Sequence, residues 1–222
     1  TTEIYTLSLH DVLPISTSMG SSAADTRARE LTARDLVTTG VFTALYVVFM
    51  MAGGMFLAPN PVLTFWMPAA VALLTGPVYL LLIAKIPKHG PLIVLGVVEG
   101  VLLFVTGMYW MWAVACVVLG VVADLLASAG GFTNKALNFA AFVLYSLSPM
   151  GSYLMLWIDP GGYTSYLTGN GAERAYMDTM MSTATGWMLP AMILATVACA
   201  IVSGLVGMRL LRRQFEKAGA TA

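Results

Sequence analysis

Charge is what this chain has least of. Lys, Arg, Asp and Glu make up 10% of its 222 residues, against roughly a quarter in an average soluble domain. With 59% hydrophobic residues and a mean hydropathy of +0.83, too few polar side chains are left to clothe a water-facing surface. The composition is that of an all-α integral membrane protein. Eleven basic residues balance eleven acidic ones, which speaks against nucleic-acid binding and against a polybasic surface anchor. Cysteine is scarce as well: Cys116 and Cys199 both lie in apolar runs, so neither a disulfide framework nor a zinc site is expected. Only His10 and His89 are present, too few for paired-histidine metal chemistry. The chain has no Walker motif, so any ATP-driven work must borrow its motor. No cofactor and no metal are expected.

The first residues stand apart. Thr6 to Ile15 reads TLSLHDVLPI and resembles the conceptual translation of a common sequencing adapter, with Val12 where that frame gives Ala. The stretch has no basic n-region and no continuous apolar core, and Pro14 breaks it, so it is not a signal peptide. Residues 1–18 are therefore expected to be non-native, with Met19 as the native start, which removes His10 and Asp11 from functional argument.

What the chain has in quantity is long apolar runs. After a polar segment, 19–35, with Arg27, Arg29 and Arg34, the run 36–57 spans 22 residues without a charge, enough to cross a ~30 Å hydrocarbon core. Five more follow: 62–84, 92–107, 108–127, 136–158 and 187–211. Gly76-Pro77 near the middle of the second either kinks one helix or divides it. The third carries a single charge, Glu99, and the fourth carries Asp124 near its end. A long connection, 159–186, holds a weakly amphipathic piece around 172–181. Six runs put both termini on one side. If that side is cytoplasmic, ten of the eleven basic residues lie inside, including those of the tail 212–222, and only Arg174 lies outside. The positive-inside rule thus favours a six-helix bundle with both termini cytoplasmic.

Candidate chemistry is sparse. His89 falls in a cytoplasmic turn, which leaves a Ser/His dyad without a partner of suitable depth. Glu99 and Asp124 sit at different depths, mid-membrane and near the cytoplasmic face, so they do not form a carboxylate dyad. The chain is not expected to be an enzyme. A carboxylate at mid-bilayer depth costs several kcal/mol unless neutral, paired or wetted, and two readings of Glu99 stay open: a ligand-binding or coupling group facing a cavity, or an internally hydrogen-bonded packing residue. Asp124 reads as structural, able to cap or pair near Lys135.

Aromatic and polar residues gather at the outer helix ends: Asn60, Trp66, Tyr109, Trp110, Trp112, Tyr153, Trp157, Asp159, Tyr163, Tyr166 and Trp187. An aromatic belt explains some of this. All five tryptophans lie on the outer side, however, whereas a belt should be roughly symmetric. The asymmetry favours an outer pocket beneath the long connection, holding a small organic molecule by stacking and a few hydrogen bonds. Glu99, Trp66, Asn60, Trp110, Trp112, Tyr153, Trp157 and Trp187 are its candidate ligand-binding residues. Small residues four apart mark helix contacts: Gly40 and Ala44, Thr39 and Thr43, Ala200 and Gly204, Ser203 and Gly207.

Several spaced blocks carry a family resemblance. LTARDLVTTGVFTALYVVFM (31–50) resembles the opening of substrate-binding S components of energy-coupling-factor transporters. MPAAVALLTGPVYLLLIAKIPKHG (67–90), GVVADLLASAGGFTNK (120–135) and GWMLPAMILATVACAIVSGLVGMRLLRRQFEKAG (186–219) are similar to one subgroup, the Trep_Strep-type membrane proteins. The resemblance implies a subunit of the bacterial cytoplasmic membrane that captures a micronutrient from outside. It also implies partners: a transmembrane coupling protein and two cytoplasmic ATPases. The coupling contact, often Ala-xxx-Ala on the first helix in that family, corresponds here to Gly40, Thr43 and Ala44, with Gly40 departing from the pattern. The alternative is a stand-alone ion-coupled secondary transporter or channel using Glu99. Broken helices in both halves would favour it, and only Gly76-Pro77 is visible as an interruption. A structural or assembly subunit is a third possibility.

Overall fold

In the computed structural model, residues 31–217 are described, with side chains as far as 212. The 1–18 stretch, Met19, the arginines at 27 and 29, and the chain beyond 217 lie outside the described residues.

Helix α1 (Ala33–Met55) starts on a capping box. The Thr32 hydroxyl accepts from the Asp35 backbone N–H at 3.2 Å, and the Asp35 carboxylate accepts from the Thr32 N–H at 3.0 Å, satisfying two donors of the first turn. A 3-10 turn (Leu63–Trp66) leads straight into α2 (Met67–Lys85). Then come α3 (Pro91–Val105) and α4 (Trp110–Ala129). The next apolar run is divided among α5 (Lys135–Tyr145), α6 (Met150–Tyr153) and α7 (Met155–Ile158). Two connecting helices follow, α8 (Pro160–Gly169) and α9 (Arg174–Thr183), before the long α10 (Met188–Lys217). No strand occurs among the described residues.

Alternating helix directions give the bundle two ends with separate cores. Leu31, Ile86, Phe132 and Leu211 pack into one core, at the basic end, where Arg34, Lys85, Lys88 and Lys135 gather. Leu57, Phe65, Tyr109, Tyr163 and Met188 pack into the other, at the end capped by α8 and α9.

Among the described residues, five helical stretches are long and apolar enough to cross a membrane, against the six apolar runs of the sequence. The exception is α3, whose 15 residues span about 22 Å at 1.5 Å per residue. It packs closely instead of reaching far. A Cβ at Gly96 would run into the Cys116 carbonyl oxygen, and one at Gly100 would lie 2.9 Å from the Ala113 carbonyl oxygen. From the other side, Gly120 faces the Leu92 carbonyl at 3.0 Å. Backbone meets backbone along the α3–α4 seam.

Gly76-Pro77 neither splits α2 nor ends it. The Ser203 hydroxyl of α10 accepts the Gly76 N–H at 3.1 Å, re-satisfying a donor where proline disturbs the helical ladder. Gly207 completes the contact, since a Cβ there would sit 3.1 Å from Pro77 Cα. The small residues of α10 therefore serve internal packing. The interruption falls instead in the fifth apolar run, at 146–149. Pro149 has no N–H to offer, and the chain tightens through i to i+3 bonds such as Ser148 N to Tyr145 O at 3.0 Å.

Asp124 is buried at the basic end, but its partner is not Lys135. Its carboxylate lies 2.9 Å from His89 Nδ1 and accepts from the Gly90 N–H at 3.0 Å. Gly90 has φ of +110°, a conformation glycine adopts without steric cost, and Asp124 holds that turn shut. Asp124→Ala strands the Gly90 N–H and is expected to cost about 1–3 kcal/mol, read as a lower thermal midpoint in detergent. Asp124→Asn keeps an oxygen for Gly90 and should lose less; equal losses would refute this role.

Candidate ligand cavity

The capped end encloses a cavity of about 500 Å³, within the size range of small-molecule sites. Its walls come from α1, α2, α3, α4 and α6, and its roof from α8 and α9. Local sequence explains the roof. Asp159 caps α8, its carboxylate accepting from the Gly162 N–H at 2.9 Å. In α9, Met177 and Met180 are three residues apart, so both point to one side, and both are buried against the cavity. The Tyr176 hydroxyl anchors α9 by donating to the Ala58 carbonyl at 2.7 Å.

Inside, the walls are methionine and aromatic. Met50, Met67, Met177 and Met180 meet Tyr109, Trp112, Tyr153 and Tyr163. Methionine supplies a polarizable surface that adapts to the shape of a ligand, and the rings offer flat faces for stacking. Polar groups are few. The Tyr153 hydroxyl donates to the Thr64 carbonyl at 2.8 Å and lies 2.9 Å from the Thr64 hydroxyl. The Ser152 hydroxyl reaches Tyr163 at 3.4 Å. Burial pushes the Tyr163 hydroxyl up to about 12 and moves Tyr176 in the same direction, so both roof tyrosines are neutral at physiological pH.

Of the eight residues expected to bind ligand, Trp112 and Tyr153 line this cavity and the others do not. Asn60 is a turn former, its side-chain oxygen accepting from Val62 N and Leu63 N at 2.9 and 3.1 Å. Trp66 ends the 3-10 turn at the start of α2. Trp110 lies tilted beside Tyr109 with ring centroids 5.9 Å apart and is exposed, as is Trp187. Trp157 belongs to the shell packed around the capped-end core.

Glu99 lies in a separate polar knot. It is buried on α3, and its carboxylate accepts from the Tyr145 hydroxyl at 2.5 Å. Tyr145 stacks on Tyr79 at 5.4 Å and meets Tyr46 edge-on at 5.9 Å. The geometry is that of the internally bonded carboxyl.

On α1, Gly40 and Ala44 face outward, and a Cβ at Gly40 would touch nothing within 4 Å. Thr43 points inward, buried, with no partner for its hydroxyl among the described residues. The outward strip is thus Gly40 and Ala44, while Thr43 belongs to the bundle interior.

The methionines were the signal left unread. Fifteen in 222 residues is a conspicuous number, and two groups of them, Met50, Met51 and Met55 on α1 and Met177 and Met180 on α9, converge on the cavity. No significant match was found among curated proteins or solved structures. The helical, apolar build agrees with the one comparison that does match: the chain belongs to the family described as hypothetical bacterial integral membrane protein (Trep_Strep), whose model covers residues 33–217.

Proposed function

We propose that this protein is the substrate-binding membrane subunit of an energy-coupling-factor importer in the bacterial cytoplasmic membrane. The cavity at the capped end carries the reading: a roofed, ligand-sized space lies opposite the basic turns. With those turns cytoplasmic, by the positive-inside rule, the cavity opens toward the outer half of the membrane. A small molecule captured there is passed inward with the help of a coupling membrane protein and two cytoplasmic ATPases, because the chain has no nucleotide motif of its own. Gly40 and Ala44 on the outward face of α1 offer a flat strip for close helix approach by the coupling protein.

Co-purification tests this. The tagged full chain, solubilised gently from its native host, should bring down a coupling membrane protein and two ATPases, identified by mass spectrometry. Gly40→Leu with Ala44→Leu should cut that recovery severalfold without lowering the thermal midpoint. A well-folded chain that comes down alone from several detergents would end the shared-motor reading.

A further inference from the structure

Two features of the cavity say what kind of molecule fits it and how that molecule arrives. The first is the balance of its polar groups. Among the described residues, none lining it carries a charge, and a charged ligand moved there from water would be left without a counter-charge. The hydroxyls of Thr64, Tyr153 and Tyr176 are engaged by the bonds already described, and Thr106 donates to the carbonyls of Leu102 and Leu103 at 3.0 and 2.9 Å. Trp112 differs. Its Nε1–H is buried with no hydrogen-bond partner among the described residues, and the residue lines the cavity. A buried indole donor left unspent in a methionine and aromatic shell, beside the Tyr109 and Tyr163 hydroxyls, calls for an acceptor on a largely apolar ligand.

The second feature is where the cavity opens. The roof residues Tyr163, Met177 and Met180 are buried. The strongly exposed apolar residues of the lining all lie on one flank: Met51 and Met55 of α1, each 63% exposed, with Leu102 of α3 at 38% and Met108 just beyond it at 43%. This flank continues into exposed Val48, Val101, Phe104 and Val105, an apolar perimeter of the kind that faces acyl chains.

We infer that the cavity binds an uncharged, lipid-soluble molecule bearing a hydrogen-bond acceptor, and admits it from the bilayer between the C-terminal halves of α1 and α3. This rests on the cavity being the ligand site. The acceptor, a carbonyl or ether oxygen, takes the Trp112 N–H, and the methionines mould to the rest.

The full chain in phosphatidylcholine nanodiscs provides the test. The probe is 2,3-dimethyl-1,4-naphthoquinone, which is neutral, carries two carbonyl acceptors and quenches indole fluorescence; 1,4-naphthoquinone-2-sulfonate is its charged, water-soluble counterpart. The neutral quinone should quench saturably and the sulfonate should not. Losing one hydrogen bond in a buried site should weaken binding about fivefold to tenfold, and two independent comparisons read it. One is Trp112→Phe. The other needs no mutation: 2,3-dimethylnaphthalene, which lacks the acceptors, should compete that much less well. Narrowing the mouth with Met51→Phe and Leu102→Phe should slow quinone association without a matching loss of affinity, whereas Met180→Phe in the roof should not.

Saturable binding of the sulfonate alone would overturn the ligand class while leaving the importer reading intact. If the roof variant slows association and the mouth variant does not, the lateral route is wrong. With neither probe giving Trp112-dependent saturation, the inference falls, and recovery of the coupling module decides the importer reading separately.

Discussion

Gly96→Val is expected to prevent the bundle from assembling, seen as loss of the monodisperse peak after solubilisation and of cooperative thermal unfolding. Space along the α3–α4 seam is set by backbone atoms, which cannot rotate aside as a side chain can. The first atom added at Gly96 already collides with the Cys116 carbonyl oxygen. Alanine must therefore push the helices apart, at about 1–3 kcal/mol for overpacking. Valine adds two more carbons and a stiff β-branch, and separating the helices also opens the contact of Gly100 with Ala113. In membranes such small-residue seams carry much of helix association, because lipid removes the hydrophobic drive between helices. Gly40→Val is the control. It is the same chemical change in an apolar helix, at a position where a Cβ meets nothing within 4 Å, and it should leave the thermal midpoint unchanged. Two variants of equal stability would mean that the seam does not hold the fold.

The contrast between those glycines shows what could be read in advance. Apolar runs and turns are properties of segments, and α1, α3 and α4 each begin and end within about three residues of the run that predicts them. Small-residue spacing was equally visible at 40–44 and at 203–207, yet one pair faces outward and the other packs on Gly76-Pro77. Spacing shows that two residues share a face; which face is buried depends on the neighbouring helices. The break in the fifth run was missed for a related reason. Gly76-Pro77 is the stronger local signal, but Ser203, 127 residues away in sequence, satisfies its freed donor, while the backbone from Ser146 to Pro149 turns through local i to i+3 bonds. Tryptophan asymmetry pointed to the capped end of the bundle, and Trp112 and Tyr153 line the cavity there. It could not point to Met67 or Met180, since an apolar residue on an apolar helix carries no mark of whether it meets a cavity, lipid or core.

The variants of the Glu99 knot should order by what each leaves unpaired. Tyr145→Phe removes the hydroxyl that the carboxyl accepts from and is expected to cost about 1–3 kcal/mol, more if the carboxyl is ionised. Glu99→Ala strands that hydroxyl and also opens a void where the side chain is wholly enclosed, so it should cost the most, on the order of 2–5 kcal/mol. Glu99→Gln keeps the shape, and its amide oxygen can still accept from Tyr145, so its loss should be the smallest. Thermal unfolding in detergent checks the order. Ligand binding supplies the functional side: because Glu99 does not line the cavity, Glu99→Gln should hold the quinone's dissociation constant within about twofold, a change of roughly 0.4 kcal/mol. If Glu99→Gln instead lost binding or uptake at an unchanged thermal midpoint, the carboxyl would be acting on the transported species. The stand-alone ion-coupled reading would then gain the ground that the shared-motor reading lost, and flux into liposomes under an imposed pH gradient would show whether a proton moves with it.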